Sequence, residues 1–293
     1  MGIFVTGATG YLGSAVCRLL REQGIEVSGL ARSPEAAVKL RESGVIPVEA
    51  DLTSADALAA AARTADGVIH AGFQWGPEAG AVDARAVAAL LDALAGSGKP
   101  FLYTSGTWVM GETKGRVGGE MFPLNPPAVV AWRPAVERTV LDAKERGIRG
   151  VVVRPATVYG RGGGRVAAML REAREQGKVR LVGNGDNHWS FVCIDDVASL
   201  YALALERAQP GSLYLAAHGT AVTARAVAEM AARAAGVPGK VDYLPLAAAR
   251  EKMGAMADCL AMDQQVLSTK AARELGWRPN GPGVLQAIAA GTA

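Results

Sequence analysis

Cysteine is scarce in this chain. Cys17, Cys193 and Cys259 are the only three in 293 residues, odd in number and far apart. That excludes a complete disulfide framework and matches no zinc-ligand spacing, so buried, reduced thiols and no metal site are expected. An excess of one charge is also lacking: 31 basic and 28 acidic residues leave a net +3, with the basic ones scattered. No nucleic-acid partner is expected from such a distribution. Long apolar runs are missing as well, each being broken by Arg, Asp or Gly, so no membrane span is expected. The first strand pattern begins within a few residues of Met1, which leaves no room for a signal peptide, and a cytoplasmic protein is expected. No internal repeat is evident. With 50% hydrophobic and 20% charged residues, the chain has the makeup of a globular protein large enough for one big domain or two unequal ones.

What the chain does have is concentrated in Met1 to Arg32. Ile3, Phe4 and Val5 form an apolar run without alternation, as in a strand covered on both faces. The chain turns through Thr6, Gly7, Ala8, Thr9, Gly10, Tyr11, Leu12 and Gly13, and Val16, Leu19 and Leu20 then follow at helical spacing. Gly24 stops that helix and Ile25 to Leu30 makes a second strand. This is the strand–turn–helix–strand unit of a dinucleotide site: one glycine for the sharp turn, one for close approach of a pyrophosphate, one for packing helix on sheet. The second strand ends in Arg32 and Ser33 with no carboxylate. A carboxylate there would hold a ribose hydroxyl, whereas an arginine can fork onto a 2′-phosphate, so NADP(H) is expected over NAD(H). An ordinary surface arginine opening the next helix is the competing reading of Arg32.

Strand and helix patterns then alternate. Val45–Ala50, Gly67–His70, Lys99–Thr104 and Gly150–Arg154 read as strands, with helices between them. The fold class expected is α/β, a Rossmann-type doubly wound parallel sheet with a smaller C-terminal α/β substrate domain. The ligand belongs beyond the carboxyl ends of the strands. Residues 1–158, completed by roughly 179–208, form the expected NADP-binding domain, and 159–293 the mainly substrate-binding one. Gly160 to Gly164 reads as a flexible break, and Ser212–Ala216 as a strand of the second half.

Seven tags stand in order: TGATGYLG at 6–13, ADLT at 50–53, GVIHAG at 67–72, YTSGTWVMG at 103–111, RPATVYG at 154–160, FVCIDDVA at 191–198 and ELGWRP at 274–279. Together they resemble the extended branch of the short-chain dehydrogenase/reductase superfamily, the NAD(P)-dependent epimerase/dehydratase group, over nearly the whole chain. The resemblance implies about seven parallel strands, Asp51 and Leu52 beside the adenine, Ala71 and Gly72 behind the nicotinamide ribose, and Pro155, Thr157 and Val158 near the carboxamide. It also implies a dimer packed through Val82–Ala95 and Val136–Arg146, helices too rich in alanine to decide the matter. His70 reads as a packed strand-end residue.

One part of the family pattern is missing. The usual catalytic Tyr, with a Lys four residues on, occurs nowhere in the sequence; aligning Glu137 puts Val129 and Arg133 at those positions. Valine has no proton to give, and a guanidinium keeps a cation for ribose or phosphate without relaying protons. Pro134 suits a helix's first turn, so the helix is expected to open near Trp132 and leave Val129 outside it. The family's Ser aligns with Gly106, between Ser105 and Thr107, and Asp83 falls where the family often has a structural Asn. Such replacements resemble atypical members of the superfamily. Ser105, Thr107, Tyr159 and His188 are the candidates for another proton route, with Arg133 as the retained cation. Gln74, Trp75, Trp108, Val129, His188 and Trp189, with Met110, Met121, Phe122 and Trp132, are expected around a largely apolar substrate pocket. Three functions stay open: an NADP(H)-dependent oxidoreductase acting on a small to medium, fairly apolar carbonyl or alcohol; an NADP(H)-binding regulatory protein with little catalysis; and an epimerase or dehydratase, which the missing Tyr disfavours.

Overall fold

The unbroken apolar runs become the inner strands of one sheet. Ile3, Phe4, Val5, Val68, Ile69, Phe101 and Leu102 are fully buried, because a strand with helices over both faces has no wet side to fill with polar residues. A computed structural model describes residues 1–293. Its main sheet has seven parallel strands in the order Ser212–Ala216, Arg149–Pro155, Pro100–Thr104, Gly67–His70, Gly2–Thr6, Glu26–Ala31 and Ile46–Glu49. Helices Tyr11–Glu22 and Ile194–Arg207 pack together on one side, and Ala55–Thr64 with Ala79–Leu94 on the other. The chain reverses direction across the sheet between Gly2–Thr6 and Gly67–His70, the crevice where such sheets bind ligands. The expected Rossmann class is the observed fold.

The smaller sheets correct two expectations. Ser212–Ala216, read as belonging to the second half, pairs in parallel with Arg149–Pro155 and closes the edge of the main sheet; its five residues are all buried, as a covered strand requires. Conversely Val179–Val182 and His188–Cys193, expected within the segment completing the Rossmann domain, lie outside it. The first pairs with Val241–Leu244, and the second sits between Thr157–Gly160 and His218–Thr223. The segment that returns to the large sheet is therefore 194–216, not 179–208. Nor is Gly160 to Gly164 a loose break: Gly160 and Gly163 bridge, and Tyr159 bridges Gly164, in a tight reversal with Arg161 at φ 53°.

A second apolar core, including Tyr159, Trp189, Phe191 and Val227, lies under these small sheets. The C-terminal segment is tied to helix Ile194–Arg207: the Trp277 ring N–H donates to the Asp196 carbonyl at 2.9 Å, and the Asp196 carboxylate accepts from the Asn280 and Gly281 N–H groups. No helix is long and apolar enough to cross a membrane.

Candidate active site

The opening turn is built so that backbone, not side chains, forms its outer face. Gly7 takes φ +70°, and a Cβ on it would lie 2.5 Å from the Ala71 carbonyl oxygen; one on Gly13 would lie 2.1 Å from the Gly7 oxygen. Gly10 differs, since its Cβ would meet only the Gly7 oxygen at 3.1 Å and the residue is exposed at the mouth of helix Tyr11–Glu22. A cradle closed behind by Gly7 and Gly13 and open at Gly10 fits a pyrophosphate at a helix N-terminus. Thr9 is exposed there, and Leu12 packs partly buried on the core. Tyr11 is half-buried, with its hydroxyl donating to the Gly160 carbonyl at 2.7 Å and its ring against Gly163 and Gly164.

Thr6 needs a correction. Its side chain is fully buried, accepts from the Gly72 N–H at 3.0 Å and shares a 2.9 Å hydrogen bond with His70 Nδ1. It is spent holding two strand ends together and cannot touch a nucleotide. Gly72 is thereby fixed with Leu52 against it, next to the half-buried Ala71. Asp51 folds back on its own turn, accepting from the Thr53 N–H and hydroxyl and the Ser54 hydroxyl; the Thr53 hydroxyl bond leads in holding its carboxyl below the usual range. At the other end of the crevice Arg32 is exposed without an ion pair or hydrogen bond, and the Ser33 hydroxyl caps the next helix by accepting from the Ala36 N–H at 3.2 Å.

The ends of strands Pro100–Thr104 and Arg149–Pro155 open into a cavity of about 590 Å³. Ser105, Gly106, Thr107 and Trp108 line one side, and Pro155, Ala156, Thr157 and Val158 another; Val129, Arg133, Trp75 and Trp189 complete much of the rest. The Ser105 hydroxyl is buried there without a hydrogen-bond partner. A wider cleft of about 730 Å³ between Arg171 and the C-terminal Ala293 meets none of these strand ends, so the smaller cavity is the one the topology assigns to a ligand.

Arg133 is held from below. The chain turns through a short 3-10 segment, Ala128–Val130, before helix Arg133–Asp142 opens with Pro134 in its first turn, which leaves Val129 outside the helix and on the cavity wall. The Arg133 guanidinium donates to the Thr104 carbonyl at 2.8 Å and the Tyr103 hydroxyl at 3.2 Å, and lies over the Trp132 ring. Tyr103 in turn donates to Asp83 Oδ2 at 2.7 Å, and Asp83 Oδ1 is 3.1 Å from His70 Nε2. A buried chain thus runs from Thr6 through His70, Asp83 and Tyr103 to the cation at the cavity. Burial, then the Asp83 carboxylate, push the Tyr103 phenol above its ordinary value, so it positions Arg133 rather than delivering a proton.

Three other expected site residues stand elsewhere. Tyr159 is buried in the second core with its hydroxyl donating to the Pro282 carbonyl, and burial raises its phenol above the ordinary value; the strand it lies on turns that ring away from the cavity. His188 pairs with Asp263, Nδ1 to Oδ1 at 2.9 Å, while its N–H donates to the same oxygen, an arrangement that anchors the 263 loop instead of lining the site. Gln74 is exposed off the cavity, which its neighbours Phe73 and Trp75 line in an edge-to-face pair at 4.8 Å. Met110 is core and Met121 is 95% exposed, so neither lines it either.

Sequence reasoning missed Phe73, Arg165, Met256, Cys259 and Leu260, all on the cavity wall. The last three lie on one short helix, Met256–Ala261, at the i, i+3, i+4 spacing of a single face. Arg165 follows directly on the glycine run read as a break. Burial raises the Cys259 thiol to about 11.

Fold and site together define a protein of the Rossmann type with a glycine cradle of the dinucleotide-binding kind, and a small second sheet region closing over the strand ends. More narrowly, the chain belongs to the NAD dependent epimerase/dehydratase family, whose profile matches residues 3–217. It is 35% identical over 285 residues to an uncharacterized protein of Schizosaccharomyces pombe, covering 95% of each. It is 31% identical over 263 residues to a 2-alkyl-3-oxoalkanoate reductase of Stenotrophomonas maltophilia, covering 83% of this chain and 78% of that one. Among solved structures it is similar to a dTDP-glucose 4,6-dehydratase of Streptomyces venezuelae at TM-score 0.84 and 19% identity, over 99% of this chain and 96% of that chain; that likeness speaks for the fold alone.

Proposed function

We propose that this chain is an NADP(H)-dependent ketoreductase of the atypical short-chain dehydrogenase/reductase kind, interconverting a fairly apolar ketone and its alcohol. The observation that carries the reading is the strand-end cavity, where an unpartnered Ser105 hydroxyl and the anchored Arg133 cation stand among apolar walls. Its relative in Stenotrophomonas maltophilia, a reductase of 2-alkyl-3-oxoalkanoates by name, supports the same chemistry over epimerisation or dehydration. Residues 1–158 with 194–216 hold the nucleotide and the remainder mainly the substrate.

Gly7, Gly10 and Gly13 hold the pyrophosphate, Ala71, Gly72 and Pro155–Val158 flank the nicotinamide side, and Arg32 takes the 2′-phosphate. When bound, the reduced nicotinamide supplies a hydride. Ser105 and Thr107 orient the carbonyl, and the Arg133 cation stabilises the negative charge that builds on its oxygen. A serine hydroxyl at its ordinary pKa is a poor acid alone, so the proton reaches the alkoxide from water through Ser105. Holding the reactants together supplies much of the rate.

The test is consumption of NADPH by the purified protein against a panel of ketones, enones and imines, read at the reduced-nicotinamide absorbance band. Turnover of a ketone that falls roughly a hundredfold or more in Ser105→Ala is expected, since lost donors of this kind cost about 100- to 1000-fold. Tight NADPH binding with no turnover across the panel would replace the reductase by a nucleotide-responsive binding protein. Arg32→Ala should weaken NADPH far more than NADH; equal losses would refute the 2′-phosphate assignment.

A further inference from the structure

Two arginines sit in largely buried surroundings in this chain, and the fold treats them differently. Arg154 is clamped by Glu137. Arg165 has no acid of its own: its Nε is buried without a hydrogen-bond partner, and Glu172, the only carboxylate whose charge reaches it, is taken by Arg180. What faces it instead is the Trp189 ring, 5.1 Å from the guanidinium carbon to the ring centroid, and the cavity it shares with Ser105 and Arg133. Burial lowers the guanidinium's value to about 10. A half-buried cation with one fully buried, unpartnered nitrogen is left without a counter-charge, and an anionic ligand entering the cavity would supply it.

We propose that Arg165 binds a carboxylate of the substrate, so that the ketone reduced here is an oxo acid with an apolar chain. The inference rests on the ketoreductase reading of the same cavity and adds the group that orients the substrate within it. A guanidinium matches a carboxylate with two parallel N–H donors. A phosphate would call for a second free cation, yet the only other one lining the cavity, Arg133, is tied to Thr104 and Tyr103, and Arg161 is engaged by Asp195. With the carboxylate at Arg165 and the carbonyl at Ser105, the remaining apolar walls of the cavity receive the alkyl part.

The experiment compares 3-oxodecanoate with its methyl ester as substrates, and measures calorimetric binding of decanoate and of methyl decanoate to the NADPH-loaded protein, in the natural chain, Arg165→Met and Arg165→Lys. The natural chain should prefer the acid in kcat/KM by roughly 10- to 100-fold, the span of one buried charged hydrogen-bonded contact. R165M should bring the acid-to-ester ratio to about one, mostly through KM, and abolish decanoate binding while the NADPH affinity stays; R165K should keep part of the preference. Decanoate binding that R165M abolishes, with no ketone reduced by any variant, would uphold the carboxylate site and sink the ketoreductase. Reduction of acid and ester alike by the natural chain, or an unchanged ratio in R165M, would overturn the carboxylate site and leave the reductase standing. A loss of NADPH affinity in R165M would overturn it as well, by handing Arg165 to the nucleotide.

Discussion

Replacing Glu137 by Gln tests how the helix carrying Arg133 is held to the sheet. Glu137 and Arg154 have side chains only 2% and 4% exposed, and Arg154 donates from Nε to Oε1 at 2.9 Å and from its terminal nitrogen to Oε2. Helix Arg133–Asp142 is thereby fastened to strand Arg149–Pro155, whose last residue reaches the cavity. E137Q keeps the shape and deletes the charge, so Arg154, which already has one buried nitrogen without a partner, loses its counter-ion as well. Breaking one side of such a buried pair costs about 3–5 kcal/mol. At about 2 °C per kcal/mol for a chain of this size, the thermal midpoint should fall by about 6–10 °C. The double variant E137L/R154M removes both charges and should return to within about 2 kcal/mol of the natural chain, because an apolar pair carries no desolvation debt. Midpoints of the natural chain, E137L, R154M and E137L/R154M complete the cycle. A fall of under about 2 °C for E137Q, or a double variant that simply adds the two losses, would show that the pair is not energetically buried, contrary to its geometry.

Other outcomes follow from the same geometry. Gly10→Ala, whose Cβ meets only the Gly7 oxygen at 3.1 Å, should leave the thermal midpoint nearly unchanged and weaken NADPH and NADH alike by roughly tenfold or more, because the open face is the anion's; a fall in midpoint with intact binding would place the pyrophosphate elsewhere. Tyr159→Phe removes a donor to the Pro282 carbonyl and should cost about 1 kcal/mol of stability with kcat unchanged; a large drop in kcat would restore Tyr159 as the acid. Cys259 has its thiol raised to about 11 by burial, so thiolate is lost as pH falls below that value. Peptide mapping of iodoacetamide alkylation at pH 8 should find it modified roughly a hundredfold more slowly than a free thiol, faster about tenfold per pH unit upward, and slower still with substrate bound; rapid, pH-independent modification would contradict the buried cavity wall.

Much of the fold was legible because its evidence is local. A strand covered on both faces has to be apolar throughout, and a turn that meets the Ala71 carbonyl at 2.5 Å has to be glycine; both leave marks in consecutive residues. Arg133, Ser105 and Val129 could be found for the same reason, since each follows a strand or precedes a helix with its own signals. Tyr159, His188 and Gln74 failed as cavity residues because a residue's address in the chain says nothing of the side to which its ring or amide turns. Tyr159 sits in a tag that borders the site, yet its strand pairs with His188–Cys193 and sends the phenol into the second core.

The amino-acid order alone therefore determined the parallel sheet, the glycine cradle and the absence of a Tyr-x-x-x-Lys pair, properties that spacing and residue type express within a few turns of chain. Which groups meet was decided only by tertiary structure. Thr6, His70, Asp83, Tyr103 and Arg133 become one buried hydrogen-bonded chain, and Arg165 is left facing a cavity completed by Met256, Cys259 and Leu260. Contacts across such separations cost loop-closure entropy and are fixed by packing of the whole molecule, so no short stretch of sequence can carry their signature.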